Sequence, residues 1–168
     1  MSELSFFDLN GITGEPLFDP EAGTFSGYGD AAALEDRLDE YGIDLALVSH
    51  FRAGYGSPML ANLSLSRELA GRSRLLPCWC LLPGQTGETP AGQELARKLR
   101  THGVRAVRLP IGTYNLPLDP WILEPLLSPL EAEGVLVRWQ VIENRWVGLL
   151  FGHGATPPLA PVPQTSGV

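Results

Sequence analysis

Residues 91–109, AGQELARKLRTHGVRAVRL, hold one complete structural unit and decide the fold. Leu95, Ala96 and Leu99 recur at a spacing that places them on one face of a helix, so about Ala91 to Thr101 reads as an amphipathic helix. Arg97, Lys98, Arg100 and His102 gather near its end, where cations complement the helix dipole, and Gly103 stops it. The run that begins at Val104 has the length and β-branched content of a strand. A helix closed by glycine and followed at once by a buried strand is the return half of a crossover.

The same unit recurs along the chain. Strand-like runs begin near Ser5, Ile43, Arg74, Val104 and Val135, and from the second onward their starts are 31, 30 and 31 residues apart. A helix opens at Asp30, lines up Leu34, Leu38 and Tyr41 with Glu35, Asp36, Asp39 and Glu40 largely outside that stripe, and closes at Gly42. Another starts at Ser57-Pro58 and runs to about Gly71. The last starts at Asp119-Pro120 and stops at Gly134, but Pro125 and Pro129 fall inside it. Each can cost about 3 kcal/mol in a helix interior, so a kink or break is expected there. Units joined in this way set their strands parallel through right-handed crossovers. The fold class is therefore α/β, consecutive parallel strand-helix units, and the spacing admits two closures: a small open doubly wound sheet, which the length favours, and an incomplete (β/α)₈ TIM barrel of about five strands.

Residues 1–151 read as a single domain. Residues 152–168 contain Pro157, Pro158, Pro161 and Pro163 with no charged side chain, which reads as a disordered Pro/Gly-rich tail. Arg145 to Phe151 stays open between a further strand and a short helix.

With 12 Lys+Arg against 19 Asp+Glu among 168 residues, the net charge is −7, and no basic cluster offers itself to a polyanion. Nucleic acid is excluded as a partner on that ground. The first twenty residues carry neither a cation nor a long apolar run, so no leader or membrane anchor is expected and the compartment is expected to be the cytoplasm. Cys78 and Cys80 lie two apart in an apolar run, which suits buried thiols better than a disulfide or a zinc site. Gly27-Tyr28-Gly29-Asp30 and Gly54-Tyr55-Gly56-Ser57 lack the later glycine or lysine of a phosphate loop and read as turns before helices. Trp79, Trp121, Trp139 and Trp146 read as core. A strand set that does not close leaves unpaired edges, and a homo-oligomer formed through them is a possible partner state.

Polar residues at strand C-terminal ends mark the face on which both kinds of α/β sheet place their sites. Asp8 and Asn10 share a face with Phe6, His50 ends the second strand, and Arg108 ends the fourth on the face of Val104 and Ala106. A carboxylate, an amide, an imidazole and a guanidinium suit one small anionic or carbonyl metabolite. The same residues also serve plainer ends, a loop cap, a backbone hydrogen bond and an ion pair.

The stretch Phe6-Phe7-Asp8-Leu9-Asn10-Gly11-Ile12-Thr13-Gly14 resembles the first strand and loop of the amidohydrolase superfamily, particularly the amidohydrolase-related TIM-barrel hydrolases and decarboxylases. Tyr41 to Val48, Arg74 to Trp79, Gly103 to Leu109 and Gly134 to Val137 resemble its second to fifth strands in order, so the resemblance spans about residues 5–140 and implies the incomplete (β/α)₈ barrel rather than the doubly wound sheet. It implies hydrolysis or decarboxylation assisted by zinc or another divalent ion, held by several imidazoles and a carboxylate. The family's Asp-x-His-x-His pattern, aligned on Asp8, falls on Asn10 and Ile12, and no histidine stands near Arg138 to Val141 for the fifth strand. The metal site does not carry over and no cofactor is expected. The expected function is a truncated or catalytically impaired relative of metal-dependent hydrolases. The alternative is a complete small α/β module that binds an anionic metabolite without catalysis.

Overall fold

A computed structural model describes residues 5–14, 29–54, 56–142 and 145–150, with the side chains of 141–150 left aside. The Pro/Gly-rich tail lies outside them. In chain order the elements are β1 (Phe7–Thr13), α1 (Ala31–Tyr41), β2 (Leu45–His50), α2 (Pro58–Glu68), β3 (Leu75–Cys80), α3 (Gly92–Thr101), β4 (Ala106–Leu109), the short α4 (Ile111–Tyr114), α5 (Pro120–Ala132), β5 (Leu136–Ile142) and β6 (Arg145–Leu150). Single 3₁₀ turns at Phe51–Gly54 and Gly84–Thr86 follow β2 and β3.

The sheet order is β1-β2-β3-β4-β5-β6, with the first five strands parallel. A doubly wound sheet reverses direction partway; this one advances by one neighbour at every step, and the sheet curls as half a barrel. Successive right-handed crossovers in one direction leave all helices on one face. The core agrees: Leu34 and Leu38 of α1, Leu65 of α2, Leu95 and Leu99 of α3 and Leu126 and Leu130 of α5 share one cluster with Ala46, Val48, Leu75, Trp79, Val107 and Val137. Each leucine so buried contributes about 1.5–3 kcal/mol. The opposite, concave face carries a smaller cluster of Leu47, Cys78 and Ala106 with Leu9, Leu76 and Leu136.

Local chemistry accounts for most element ends. Asp30 accepts a hydrogen bond from the Ala33 N–H at 3.0 Å, and Gly42 closes α1 with φ 64°. The basic end of α3 is paired: Arg100 with Glu133, and Lys98 with Glu94 at 3.6 Å. Three outcomes differ from expectation or resolve it. First, α5 runs unbroken through Pro125 and Pro129, which lie toward its outer side while Leu126 and Leu130 anchor the inner one. Second, the segment left open between strand and helix is β6, antiparallel to β5. Third, Trp121 is 68% exposed and not core, whereas Trp79 is fully buried with its indole N–H donated to Ser66 Oγ at 2.9 Å. Among the described residues, no helix is long and apolar enough to cross a membrane.

Candidate functional site

Register brings two arginines side by side. Arg108 of β4 pairs with Arg138 of β5, and Ala106 and Leu136, one pleat earlier, both belong to the concave cluster. The two guanidinium groups therefore rise from adjacent strands on the concave face, and they are only 6% and 3% exposed. Two like charges in one buried row repel each other unless negative charge is supplied.

Their surroundings differ. Arg138 donates from Nη2 to Asn10 Oδ1 at 3.2 Å and from Nη1 to Cys78 Sγ at 3.8 Å, and the Asp8 carboxylate also acts on it. Burial pulls its pKa below the ordinary value; Cys78 and Asp8 oppose that pull, while Arg108 adds to it. Arg108 reaches the His50 carbonyl oxygen with Nη2 at 3.5 Å, the outer limit for a hydrogen bond. Its Nε is buried and has no hydrogen-bond partner. Among the described residues, no carboxylate forms an ion pair with Arg108.

Asn10 reaches the site because β1 carries a bulge. Asp8 pairs with Ala46 and Gly11 with Val48, so Leu9 and Asn10 together face the single residue Leu47. Leu9 packs into the concave cluster and Asn10 turns to Arg138. Asp8 itself stays local, accepting the Asn10 N–H at 2.8 Å. The strict alternation that put Asp8, Asn10 and Phe6 on one face does not run through the bulge.

His50 contributes to the site through its backbone. Its imidazole lies against Gly14, where an added Cβ would come within 2.8 Å of the ring, and its Nδ1 accepts the Arg52 N–H at 3.1 Å. Thr13, in register with His50, donates to Glu68 of α2 at 3.4 Å, which marks this as the helix-side face. Burial holds the imidazole pKa below its ordinary value, partly offset by Glu68. Of the sequence candidates, the fold thus gathers Asn10, Arg108 and the His50 carbonyl, with Asp8 acting on Arg138 from the rim.

Two contributors were not anticipated. Arg138 follows Arg108 by 30 residues, the strand repeat itself, and that spacing was the available signal. Asn62 gave none. The β2–β3 ladder ends at Val48 and Pro77. Beyond it side chains take over: Ser49 Oγ donates to the Cys78 carbonyl at 3.2 Å, and Asn62 donates to the Cys80 carbonyl and accepts the Cys80 N–H, both at 2.8 Å. Asn62 thereby fixes Cys80 beside Arg108. Burial raises the Cys80 thiol pKa while Arg108 draws it down, and burial also raises the Tyr114 phenol at the rim.

The divalent ion implied by the resemblance does not fit these residues. Asn10 is engaged with a guanidinium whose positive charge opposes a cation, and Ile12 has no donor atom. No protein family, curated protein or solved structure matches the chain.

Proposed function

We propose that this half-barrel holds a small anionic metabolite on its concave face without metal-assisted chemistry. The observation that carries the reading is the adjacent pair Arg108 and Arg138, buried on one face, with Arg108 Nε lacking any partner. Buried polar atoms are nearly always satisfied, so an unsatisfied nitrogen on a charged group calls for a ligand. Arg138, steadied by Asn10, supplies fixed positive charge in place of an ion.

Thermal unfolding of the full chain tests this. Sodium acetate should raise the midpoint above that in sodium chloride of equal ionic strength. Arg108→Met should abolish the response and, by removing one of two repelling buried charges, raise stability without added anion by about 1–3 kcal/mol. A variant that instead unfolds more easily in every salt would make Arg108 a structural residue.

The consecutive strand order supports a second reading, a catalytically impaired relative of the amidohydrolase-type barrels. On that reading the purified chain, exposed to zinc or manganese and desalted, retains no stoichiometric metal. Stoichiometric retention together with hydrolysis of an amide or ester would restore the metal-dependent function.

A further inference from the structure

We infer that the site takes one singly charged oxyanion, a carboxylate group, on the Nε–Nη2 edge of Arg108; this rests on the anion-holding reading above. In a guanidinium the Nε–H and one Nη2–H point the same way along one edge, and a carboxylate meets that edge with both oxygens. This is the open edge of Arg108. Nε has no hydrogen-bond partner, Nη2 reaches the His50 carbonyl at 3.5 Å, and the Cys80 thiol lies beside the same guanidinium. Gly54, which has no side chain to crowd this edge, stands beside it: a Cβ there would meet Nη2 at 4.0 Å, ordinary van der Waals contact.

Charge sets the valence of the ligand. Two guanidinium charges set against the one carboxylate of Asp8, which acts on Arg138, leave a single positive charge to neutralise, and Arg108 carries it. The neighbouring acids of the site do not supply it: burial favours the neutral forms of the Cys80 thiol and the Tyr114 phenol. Glu68 is spent on the Ala31 N–H at 2.7 Å and on Thr13, and Glu88 accepts from Ser57 Oγ at 2.9 Å. A dianion would bring an unmatched negative charge into a buried row, with the desolvation cost that implies. One carboxylate balances the site; a sulfate or a phosphate dianion overfills it.

The experiment uses the ¹⁵N-labelled full chain, following arginine Nε–H signals during titration with sodium formate and, separately, sodium sulfate, each against sodium chloride of equal ionic strength. The Arg108 signal, identified through its own side-chain connectivities and by its disappearance in Arg108→Lys, should move saturably with formate. Sulfate should need a concentration at least roughly tenfold higher for the same shift. Arg108→Lys keeps the charge but lacks the edge, so its thermal response to formate should weaken by roughly tenfold. If that variant does not fold, the wild-type titration still decides. Sulfate binding as tightly as formate would overturn the single-charge inference and leave the anion reading standing. Formate acting on Arg138 rather than Arg108 would overturn the choice of edge. No response to either salt would overturn both readings together.

Discussion

A buried amide that clamps both backbone groups of one residue carries more than its own hydrogen bonds. Asn62 is fully buried and serves the N–H and the C=O of Cys80, which lie beyond the end of the β2–β3 ladder. Asn62→Ala strands both groups in the core and should cost about 2–5 kcal/mol in urea unfolding, whereas the nearby Leu60→Ala, exposed on the same helix, should cost little. Equal losses at the two positions would deny the clamp. His50 makes a second residue-scale case through its depressed pKa. Between its ordinary value near 6.5 and its lower folded value, the unfolded chain takes a proton that the native imidazole refuses, so stability falls as pH drops through that window and levels off below it. In His50→Gln the corresponding part of the slope should vanish from a series of urea midpoints measured across the window. An unchanged slope would place the titration elsewhere.

At the scale of elements, α5 is the least expected success of the chain. Pro125 and Pro129 each remove an intrahelical donor, yet the helix continues from Pro120 to Ala132 because Ile122, Leu123, Leu126 and Leu130 are buried against the fold and hold it. Packing overrides propensity here. Pro125→Ala and Pro129→Ala should each restore one backbone hydrogen bond and stabilise by about 1–2 kcal/mol, less than the full helical penalty because alanine also loosens the unfolded chain. Thermal midpoints that fall in both variants would show that the prolines, not the leucines, set the path of this helix. The same contrast explains what was legible. Leu95 with Leu99, Asp30 and Gly42 announce their elements locally, so α1 and α3 could be read directly. The β1 bulge could not, since it exists only as two residues of one strand opposed to one of another, and sequence alternation passes straight over it. Asn10 is therefore legible as a polar residue at a strand end, while its contact with Arg138 is not.

For the whole molecule, near-identical repeats of about 30 residues fix parallel strands and right-handed crossovers but admit both a doubly wound and a barrel-like order, and it is the resemblance in residue identity that points to the consecutive order observed. Side-chain placement within the site was less accessible, as Arg108 and Arg138 meet only through a register that the curled sheet establishes. The curl also leaves β1 as a terminal strand, bonded to β2 alone among the described strands. Beside that edge Phe6 and Phe7 are 57% and 48% exposed, with Tyr41 and Leu45 also outward. An unpaired parallel edge flanked by aromatic surface is a template for a second copy, and two such edges can join antiparallel about a two-fold axis. Sedimentation velocity of the full chain should therefore show association that grows with protein concentration. Phe6→Lys combined with Phe7→Lys should suppress it without lowering the urea midpoint, because charge on an exposed edge opposes pairing while the core is untouched. A wild-type chain that stays monomeric throughout would mean that β1 is covered within the molecule. Loss of association accompanied by loss of stability would instead assign the two phenylalanines to the fold of β1 itself.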